Sequence, residues 1–163
     1  MPEILLLSDT HNTWDDFIEK YAREAKEIWH AGDIGTPEII DKLEAFAPVK
    51  AVYGNIDGQE IRKFIPEYQF FEKGGMKVLM LHIGGYPGKY TSRAKELIAR
   101  YRPDIFIAGH SHILKVMHDR KNGLLHLNPG AAGKYGFHKV RTMLRFDMEN
   151  GEIKNLEVIE RPR

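Results

Sequence analysis

No cysteine occurs among the 163 residues of this chain. Disulfide bonds and thiolate metal sites are therefore excluded, and any bound metal must take imidazole, carboxylate or amide ligands. A domain of about this size buries roughly 70% of its unfolded-state surface, so one hydrophobic core suffices without cross-links. The absence of cysteine restricts the candidate site residues to histidines, acids and amides.

The sequence also lacks a large excess of charge of either sign. Its 24 basic and 23 acidic residues leave a formal net charge of +1. A dedicated nucleic-acid binder is expected to be strongly basic, so nucleic acid is a disfavoured partner. One local basic cluster is interpreted as a solvated face, with phosphate steering near residues 130–138 as the alternative: Lys134, Lys139, Arg141 and Arg145.

Long apolar runs are missing as well. The N-terminal run Ile4–Leu7 follows Glu3 and is too short for a signal-peptide core or a membrane helix. We find no internal repeat, low-complexity tract or linker, so a single domain over residues 1–163 is expected. The expected location is cytoplasmic with no membrane partner. A homodimer is compatible with the sequence, although nothing in it indicates one.

Hydrophobic periodicity predicts alternating strands and helices in the first half of the chain. Buried-strand patterns cover 4–7, 28–31 and 49–53. Helical patterns begin after Thr13 and at Pro37, with Thr13 and Thr36 as their expected N-caps. This βαβαβ order predicts parallel strands with helices on their outer face.

The second half is predicted to be richer in strands. A hairpin around Gly74-Gly75, a helix over 91–101 and a strand over 104–108 are followed by two hairpins that turn at Asn122-Gly123 and Asn150-Gly151. The predicted fold class is therefore α/β, in part α+β. We expect two mixed β-sheets packed face to face as a sandwich flanked by α-helices.

Polar side chains that can bind metals directly follow the predicted buried strands. In chain order they are Asp9 and His11, Asp33, Asn55 and Asp57, His82, and His110 and His112. Ligands of an open sheet bind outside the carboxyl ends of its strands, so these side chains are expected to converge. Glycine precedes Asp33, Asn55 and His110, which predicts sharp turns off the strands.

Each of these motifs alone has an ordinary structural interpretation. An aspartate after glycine usually bonds its own backbone in a turn, and an isolated histidine usually serves a structural hydrogen bond. Their joint occurrence in order favours a metal site. The histidines without a glycine-rich exit, His30, His118 and His126, are interpreted as structural. His138 is interpreted as a surface residue, with a late proton donor as the alternative.

The ordered set Asp-x-His, Gly-Asp, Gly-Asn-x-Asp, His and Gly-His-x-His resembles that of the calcineurin-like metallophosphoesterases. The short chain resembles their YfcE-like small phosphodiesterase branch, and the resemblance extends to Asn128-Pro129-Gly130-Ala131. It implies two divalent transition-metal ions, manganese first, with nickel, iron or zinc as alternatives. The implied ligands are Asp9, His11, Asp33 and His112 for one ion, and Asp33, Asn55, His82 and His110 for the other.

Two positions depart from the family pattern. Many members carry a histidine after the asparagine of Gly-Asn-x-Asp, where this chain has Ile56. A direct acid for the leaving group is therefore expected to be missing there. Glycine commonly follows the fourth motif's histidine directly, whereas Ile83 follows His82 here.

The resulting hypothesis is a hydrolase of small phosphodiesters. Asp33, Asn55 and His82 are expected to position the metals and a metal-bridging hydroxide that attacks phosphorus. Asp57 is expected to orient Asn55 or another ligand from behind. Two alternatives stay open: a nuclease, and a non-catalytic scaffold that keeps the phosphoesterase fold, like the metallophosphoesterase-like subunit of retromer.

Overall fold

The computed structural model describes residues 2–163, which form four helices and ten strands. The helices are α1 (Asp16–Glu24), α2 (Pro37–Glu44), α3 (Gln59–Arg62) and α4 (Ser92–Tyr101). The strands are β1 (Ile4–Leu7), β2 (Glu27–His30), β3 (Val49–Ala51), β4 (Tyr68–Lys73), β5 (Met76–Leu81), β6 (Ile105–Ile107), β7 (Leu114–Asp119), β8 (Leu124–Pro129), β9 (Val140–Glu149) and β10 (Glu152–Pro162).

The strands form two five-stranded mixed sheets. The first has the order β10-β9-β1-β2-β3, and the second has the order β4-β5-β6-β8-β7. β1, β2 and β3 are parallel, as are β5, β6 and β8. The strands β9 and β10 of the first sheet, and β4 and β7 of the second, run antiparallel to their neighbours. The predicted fold class is confirmed.

Apolar residues of β1 serve two different cores because successive side chains of a strand point to opposite faces. Ile4 and Leu6 pack between the two sheets, beside the buried Trp29. Leu5 and Leu7 point the other way, into the core under α1 and α2. Burial on both faces explains why this strand is a continuous apolar run.

The helices cover the outer faces of the sandwich. Phe17, Ile18 and Ala22 of α1 recur at the spacing of one helix face and are buried against the first sheet. Leu97 and Ile98 of α4 are buried against the second sheet. None of the helices in residues 2–163 is long and apolar enough to span a membrane.

The start of the first helix differs from the prediction. The helix is capped by Asp15, whose Oδ1 accepts the N–H of Ile18, and not by Thr13. The N–H of Thr13 is held by the carbonyl of Thr10, and the N–H of Asn12 by the carbonyl of Ile34. Residues 10–13 are therefore part of a loop that is hydrogen-bonded to the loop after β2. Helical hydrogen bonding begins only after residue 13.

Other boundaries were wrong by one or two residues. The second strand is Glu27–His30, and the third ends at Ala51 because the N–H of Tyr53 bonds Pro66 instead of continuing the ladder. Thr36 and Pro37 occupy the predicted positions at the start of α2, but the Thr36 hydroxyl donates to Asn12 Oδ1. The helix α3 was not predicted, because its four residues are too few to show a helical pattern of hydrophobic residues.

Candidate metal centre

The predicted ligands lie where strands of both sheets end. β1, β2 and β3 of the first sheet lead into Asp9 and His11, Asp33 and Asn55. β5 and β6 of the second sheet lead into His82, His110 and His112. The candidate centre therefore lies at one shared edge of the sandwich, and it needs both sheets to be complete.

The aspartates are the central members of this set. Asp33 Oδ2 lies 3.4 Å from His11 Nε2 and 3.3 Å from His82 Nε2. Asp9 Oδ1 lies 3.3 Å from His112 Nε2 and 3.8 Å from the Nε2 atoms of His11 and His82. Asp33 is thus the neighbour of histidines from both sheets.

The donor atoms form two groups of three. One group is Asp9, His11 and His112, and within it the donors lie within 4.8 Å of one another; the same holds for Asp33, His82 and His110. Each group combines residues from both sheets. Such a set of carboxylate and imidazole donors suits manganese, iron, nickel or zinc better than calcium or magnesium.

Three donor atoms of the centre are buried without a hydrogen-bond partner: Asp9 Oδ1, His11 Nε2 and His82 Nε2. His82 Nδ1 donates to the carbonyl of Ala31 at 2.7 Å, so in the neutral ring Nε2 carries a lone pair. That lone pair faces the carboxylate of Asp33. Two acceptors at this distance repel unless a cation or a proton lies between them, so the donor arrangement is suited to a metal.

The charges of the centre are strongly coupled. Burial alone would raise the pKa of Asp9, but its contacts with His11 and His112 hold that pKa well below its usual range. Burial would likewise raise the pKa of Asp33, but its contacts with His11 and His82 hold that pKa well below its usual range. Contact with Asp33 raises the pKa of His11 to about 9. A metal would therefore compete with a proton for His11.

Asn55 and His110 lie at the exposed side of the centre. His110 Nδ1 donates to Asn55 Oδ1 at 3.0 Å, so these two predicted ligands contact each other directly. The His110 ring packs edge-on against His82, with centroids 5.4 Å apart. All seven predicted ligands are thus brought to one edge, with two at its surface and the aspartates at its base.

Several ligands adopt left-handed backbone conformations that non-glycine residues seldom use. Those with positive φ are Asp9 (53°), His11 (43°), Asp33 (57°), His110 (71°) and His112 (63°). Such residues persist only where surrounding structure holds them. Here the N–H of Asp9 bonds the carbonyl of Gly32 and the N–H of His11 bonds that of Asp33, which ties the β1 loop to the β2 loop.

The glycines before the ligands serve two different purposes. Gly32 has a φ of +104°, in agreement with the predicted sharp turn. A Cβ on Gly54 would lie 2.1 Å from Asp33 Oδ1, and one on Gly109 would lie 2.3 Å from Ser8 Oγ. Glycine is therefore required at positions 54 and 109 because neighbouring loops approach too closely for a Cβ atom. The prediction that all three glycines serve sharp turns did not include this reason.

Asp57 lies behind the ligands and joins two of their loops. Its Oδ2 accepts the N–H groups of Gly54 at 2.8 Å and Ile34 at 3.1 Å, and its Oδ1 accepts that of Gly35 at 3.0 Å. The carboxylate thus connects the loop that carries Asp33 with its own loop. It supports the backbone of the centre and not the Asn55 side chain.

Two buried side chains beneath the centre, His30 and Thr10, have a supporting role that was not predicted from the sequence. His30 Nδ1 accepts the N–H of Gly32, and its Nε2 donates to Thr10 Oγ1 at 3.0 Å. Thr10 in turn donates to the carbonyl of Ile34. Burial lowers the pKa of His30 to about 4, which keeps it neutral. His30 was interpreted as structural, and no signal in the sequence connects it to the ligand loops.

The remaining predicted residues have distinct places. His138 is half-buried, donates from Nε2 to the carbonyl of Gly133 at 2.8 Å, and packs edge-on against His112. It is therefore not a free surface residue. Asn128 donates to the carbonyl of Gly109, so the Asn-Pro-Gly segment supports the last ligand loop. His118 is exposed, and His126 is buried on the second sheet.

Known proteins resemble this chain over most of its length. The profile described as calcineurin-like phosphoesterase superfamily domain matches residues 3–151. A probable metallophosphoesterase of Methanothermobacter thermautotrophicus is 30% identical over 133 residues, which cover 77% of this chain and 74% of that protein.

Solved structures share the fold. Wild-type Vps29 of Entamoeba histolytica, crystallised in complex with Zn²⁺, has a TM-score of 0.71 at 19% identity and covers 96% of this chain and 98% of its own. A structure described as a novel archaeal phosphodiesterase has a TM-score of 0.71 at 24% identity and covers 96% and 99%. At these identities the likeness concerns the fold alone.

Proposed function

Because this chain belongs to the calcineurin-like phosphoesterase superfamily, we propose that it is a phosphodiesterase that depends on two divalent metal ions. The observation that carries the proposal is the presence of two three-residue donor groups at one edge, each drawn from both sheets. Two divalent ions there would act as Lewis acids toward water and the phosphoryl oxygens.

The proposed ligand sets follow the two donor groups. Asp9, His11 and His112 would hold one ion, and His82, His110 and Asn55 the other. Asp33 would contact both ions, because its Oδ2 is within 3.4 Å of histidines from each group. Manganese is the proposed metal, with nickel, iron and zinc as alternatives on the same donor chemistry.

The region beside Asn55 offers little help to a leaving group. The next residue is Ile56, which is 46% exposed, has no proton to donate from its side chain, and bonds Asp33 Oδ1 through its backbone N–H. The Nε2 proton of His138 is already held by the carbonyl of Gly133. Diesters with acidic leaving groups should therefore be cleaved much faster than dialkyl esters.

The test is elemental analysis of the purified protein followed by turnover measurements. A panel of aryl diesters, alkyl diesters and monoesters would be assayed after addition of manganese, nickel, zinc or magnesium. We expect binding of two ions per chain and preferred cleavage of aryl diesters. Rates that do not depend on the acidity of the leaving group would contradict the proposed lack of a proton donor.

A non-catalytic scaffold is the second candidate, and the exposed apolar residues around the centre favour it. Ile56, Ile83 and Ile113 each directly follow a proposed ligand and are 46%, 40% and 60% exposed. A Vps29 of the same fold also binds Zn²⁺, so metal binding alone does not distinguish the candidates. Two bound ions without turnover of any ester in the panel would favour the scaffold.

A further inference from the structure

A short loop beside the centre, residues 133–139, combines exposed aromatic rings with basic side chains. We call it the aromatic loop. Tyr135 is 68% exposed and Phe137 is fully exposed, with a relative exposure of 103%. Lys134 and Lys139 lie beside them in the sequence, and both are exposed. Two rings of this size in water are unfavourable for an isolated chain, which suggests that they contact a ligand.

The aromatic loop adjoins the proposed metal ligands. The Tyr135 ring stacks on the ring of His11 with centroids 4.8 Å apart and an interplanar angle of 26°. His138, at the other end of the loop, packs edge-on against His112 with centroids 5.1 Å apart. A group bound on this loop would therefore lie next to an ester held at the centre.

The surroundings of the aromatic loop are positively charged. The loop itself carries Lys134 and Lys139 and no acidic residue. The nearby Arg141 and Arg145 are paired with carboxylates, Arg141 with Asp15 and Arg145 with Glu24 and Glu157. Arg163 crosses the loop, since its N–H bonds the carbonyl of Lys139 at 3.0 Å and its guanidinium bonds that of Gly136. Lys134 is partly compensated by Asp15 at 3.7 Å, whereas no carboxylate in residues 2–163 pairs with Lys139 or Arg163.

A shallow concavity of about 560 Å³ lies on this surface, lined by Lys134, Tyr135, Gly136, Phe137 and Arg163. Its volume is within the range of small-molecule sites. Another concavity beside the centre is lined by two arginines, Arg62 and Arg93. Arg93 is paired with Glu67 and Glu96, and the Arg62 guanidinium donates to the backbone carbonyls of Asp57 and Gly54. The aromatic loop differs from that concavity in combining cations that lack a carboxylate partner with two exposed aromatic rings.

We propose that the aromatic loop binds the organic group of the substrate and that this group is a nucleobase, so that the substrate is a nucleotidyl phosphodiester. This inference rests on the proposed phosphodiesterase function. The base would stack on Tyr135 or Phe137, and further phosphates would face Lys139 and Arg163. Stacked aromatics interleaved with cations are the usual platform for nucleotides, because every base has a flat π-face and every link carries a negative charge.

This proposal revises the expectation drawn from net charge. The balance of +1 for the whole chain conceals two cations on this surface, Lys139 and Arg163, with which no carboxylate in residues 2–163 pairs. A local field of one sign can recruit an anionic ligand even when the total charge is near zero. The interpretation of Lys134 and Lys139 as a merely solvated face is therefore replaced here by a ligand-binding one.

The kinetic test compares two substrates with the same leaving group, thymidine 5′-(p-nitrophenyl phosphate) and methyl p-nitrophenyl phosphate. Tyr135→Ala and Phe137→Ala should raise KM for the nucleotidyl ester by about tenfold, in line with the loss of one stacking contact, and leave KM for the methyl ester unchanged. Tyr135→Phe, which keeps the ring, is the matched control. Phe64→Ala, which removes an 81% exposed ring outside the loop, is the control for surface aromatics.

Equal increases in KM for both esters would overturn the proposal, because Tyr135 would then act through His11 and not through a base. Unchanged KM values in all variants would also overturn it and leave a protein partner as the reason for the exposed rings. If the wild type cleaves neither ester, the proposed function fails instead. Measurements of equilibrium binding then test the proposed nucleobase site independently of turnover.

Equilibrium binding would be measured with a dinucleotide and with a short single-stranded oligonucleotide. Both should bind more weakly to Tyr135→Ala and to Lys139→Gln than to the wild type. If the oligonucleotide binds more tightly and with a steeper salt dependence than the dinucleotide, the bound nucleobase belongs to the end of a nucleic-acid strand. Equal affinities would show that it belongs to a small nucleotide. Binding that is the same in the variants and the wild type would contradict the assignment.

Discussion

The candidate centre has a floor and a rim that differ in almost every physical property. The floor consists of Asp9, Asp33 and His82, which are 0%, 2% and 2% exposed and lie in a web of hydrogen bonds. The rim consists of residues whose rings or aliphatic groups face solvent: Ile56, Ile83, Ile113, Tyr135 and Phe137. One loop carries both, since the rim residue Ile83 directly follows the floor residue His82.

In the proposed enzyme, different residues would therefore bind the metal and select the substrate. Floor residues are held by contacts between loops that are remote in sequence, so a small change there should affect every substrate. Rim residues make few contacts with the rest of the protein, so changes there should affect only ligands that touch them. The predictions below test that separation, beginning with the largest effect.

The first prediction concerns Asp33→Asn on the floor. The change keeps the shape but removes the charge that faces His11 and His82. Loss of groups that only support metal ligands typically lowers affinity or activity 10- to 100-fold, so loss of a shared ligand should exceed about 100-fold for all substrates. Elemental analysis and turnover on aryl diesters measure the two effects.

Asp41→Asn is the control for Asp33→Asn, because Asp41 is exposed on α2. It should retain the metal content and turnover of the wild type. A metal-replete Asp33→Asn protein with full activity would show that Asp33 does not bridge the ions.

The second prediction compares two glycines in one loop. A methyl group on Gly54 would lie 2.1 Å from Asp33 Oδ1, whereas one on Gly58 would meet nothing within 4 Å. Gly54→Ala should therefore lower metal affinity about 10- to 100-fold and destabilise the fold by about 1–3 kcal/mol. Gly58→Ala should leave both unchanged. Metal titration and thermal unfolding distinguish the two, and equal behaviour would contradict the close approach.

The third prediction concerns Asp57, which supports the floor without belonging to it. Asp57→Asn replaces one acceptor oxygen by an NH₂ group that faces backbone N–H groups. We expect a loss of about 1–3 kcal/mol in the free energy of unfolding and about tenfold weaker metal binding. Asp104→Asn is the control, since exposed Asp104 also accepts one backbone N–H, that of Lys77. Metal binding should be unaltered in that control.

The smallest effect concerns a buried histidine outside the floor. Both ring nitrogens of His126 lack a hydrogen-bond partner, and burial lowers its pKa to about 4 from the usual histidine value of about 6.5. The unfolded chain therefore binds more protons between pH 6.5 and 4, so stability is greatest above pH 6.5 and falls as the pH drops to 4. For one such group the fall is at most about 3 kcal/mol.

His126→Leu should make this pH dependence shallower. Denaturant unfolding of both proteins from pH 7 to 4, with metal removed by a chelator, gives the two slopes. A residual slope is expected because burial lowers the pKa of His30 in the same direction. Parallel curves for the two proteins would show that His126 is not buried in its neutral form.

Much of the fold could be predicted from the sequence, because local patterns determine local structure. The run Ile4–Leu7 is a strand as predicted, Thr36-Pro37 begins α2, and Asn150-Gly151 turns the last hairpin. The identities of the candidate ligands also follow from local order, since each comes directly after a strand. Errors occurred where a distant contact decides a boundary, as at Thr13 and Tyr53.

The amino-acid sequence alone was enough to predict the order of strands and helices, the carboxylate, imidazole and amide ligands available to a metal, and the absence of thiolate ligands. Only the tertiary structure decided which donors become neighbours. The N–H of His110 reaches Asp9 Oδ2 across 101 residues of chain, and Gly54 lies against Asp33 because Asp57 holds the two loops together. Local propensity carries no information about such distances, because they depend on how two separate sheets pack. The same packing places Tyr135 on His11 and so creates the rim.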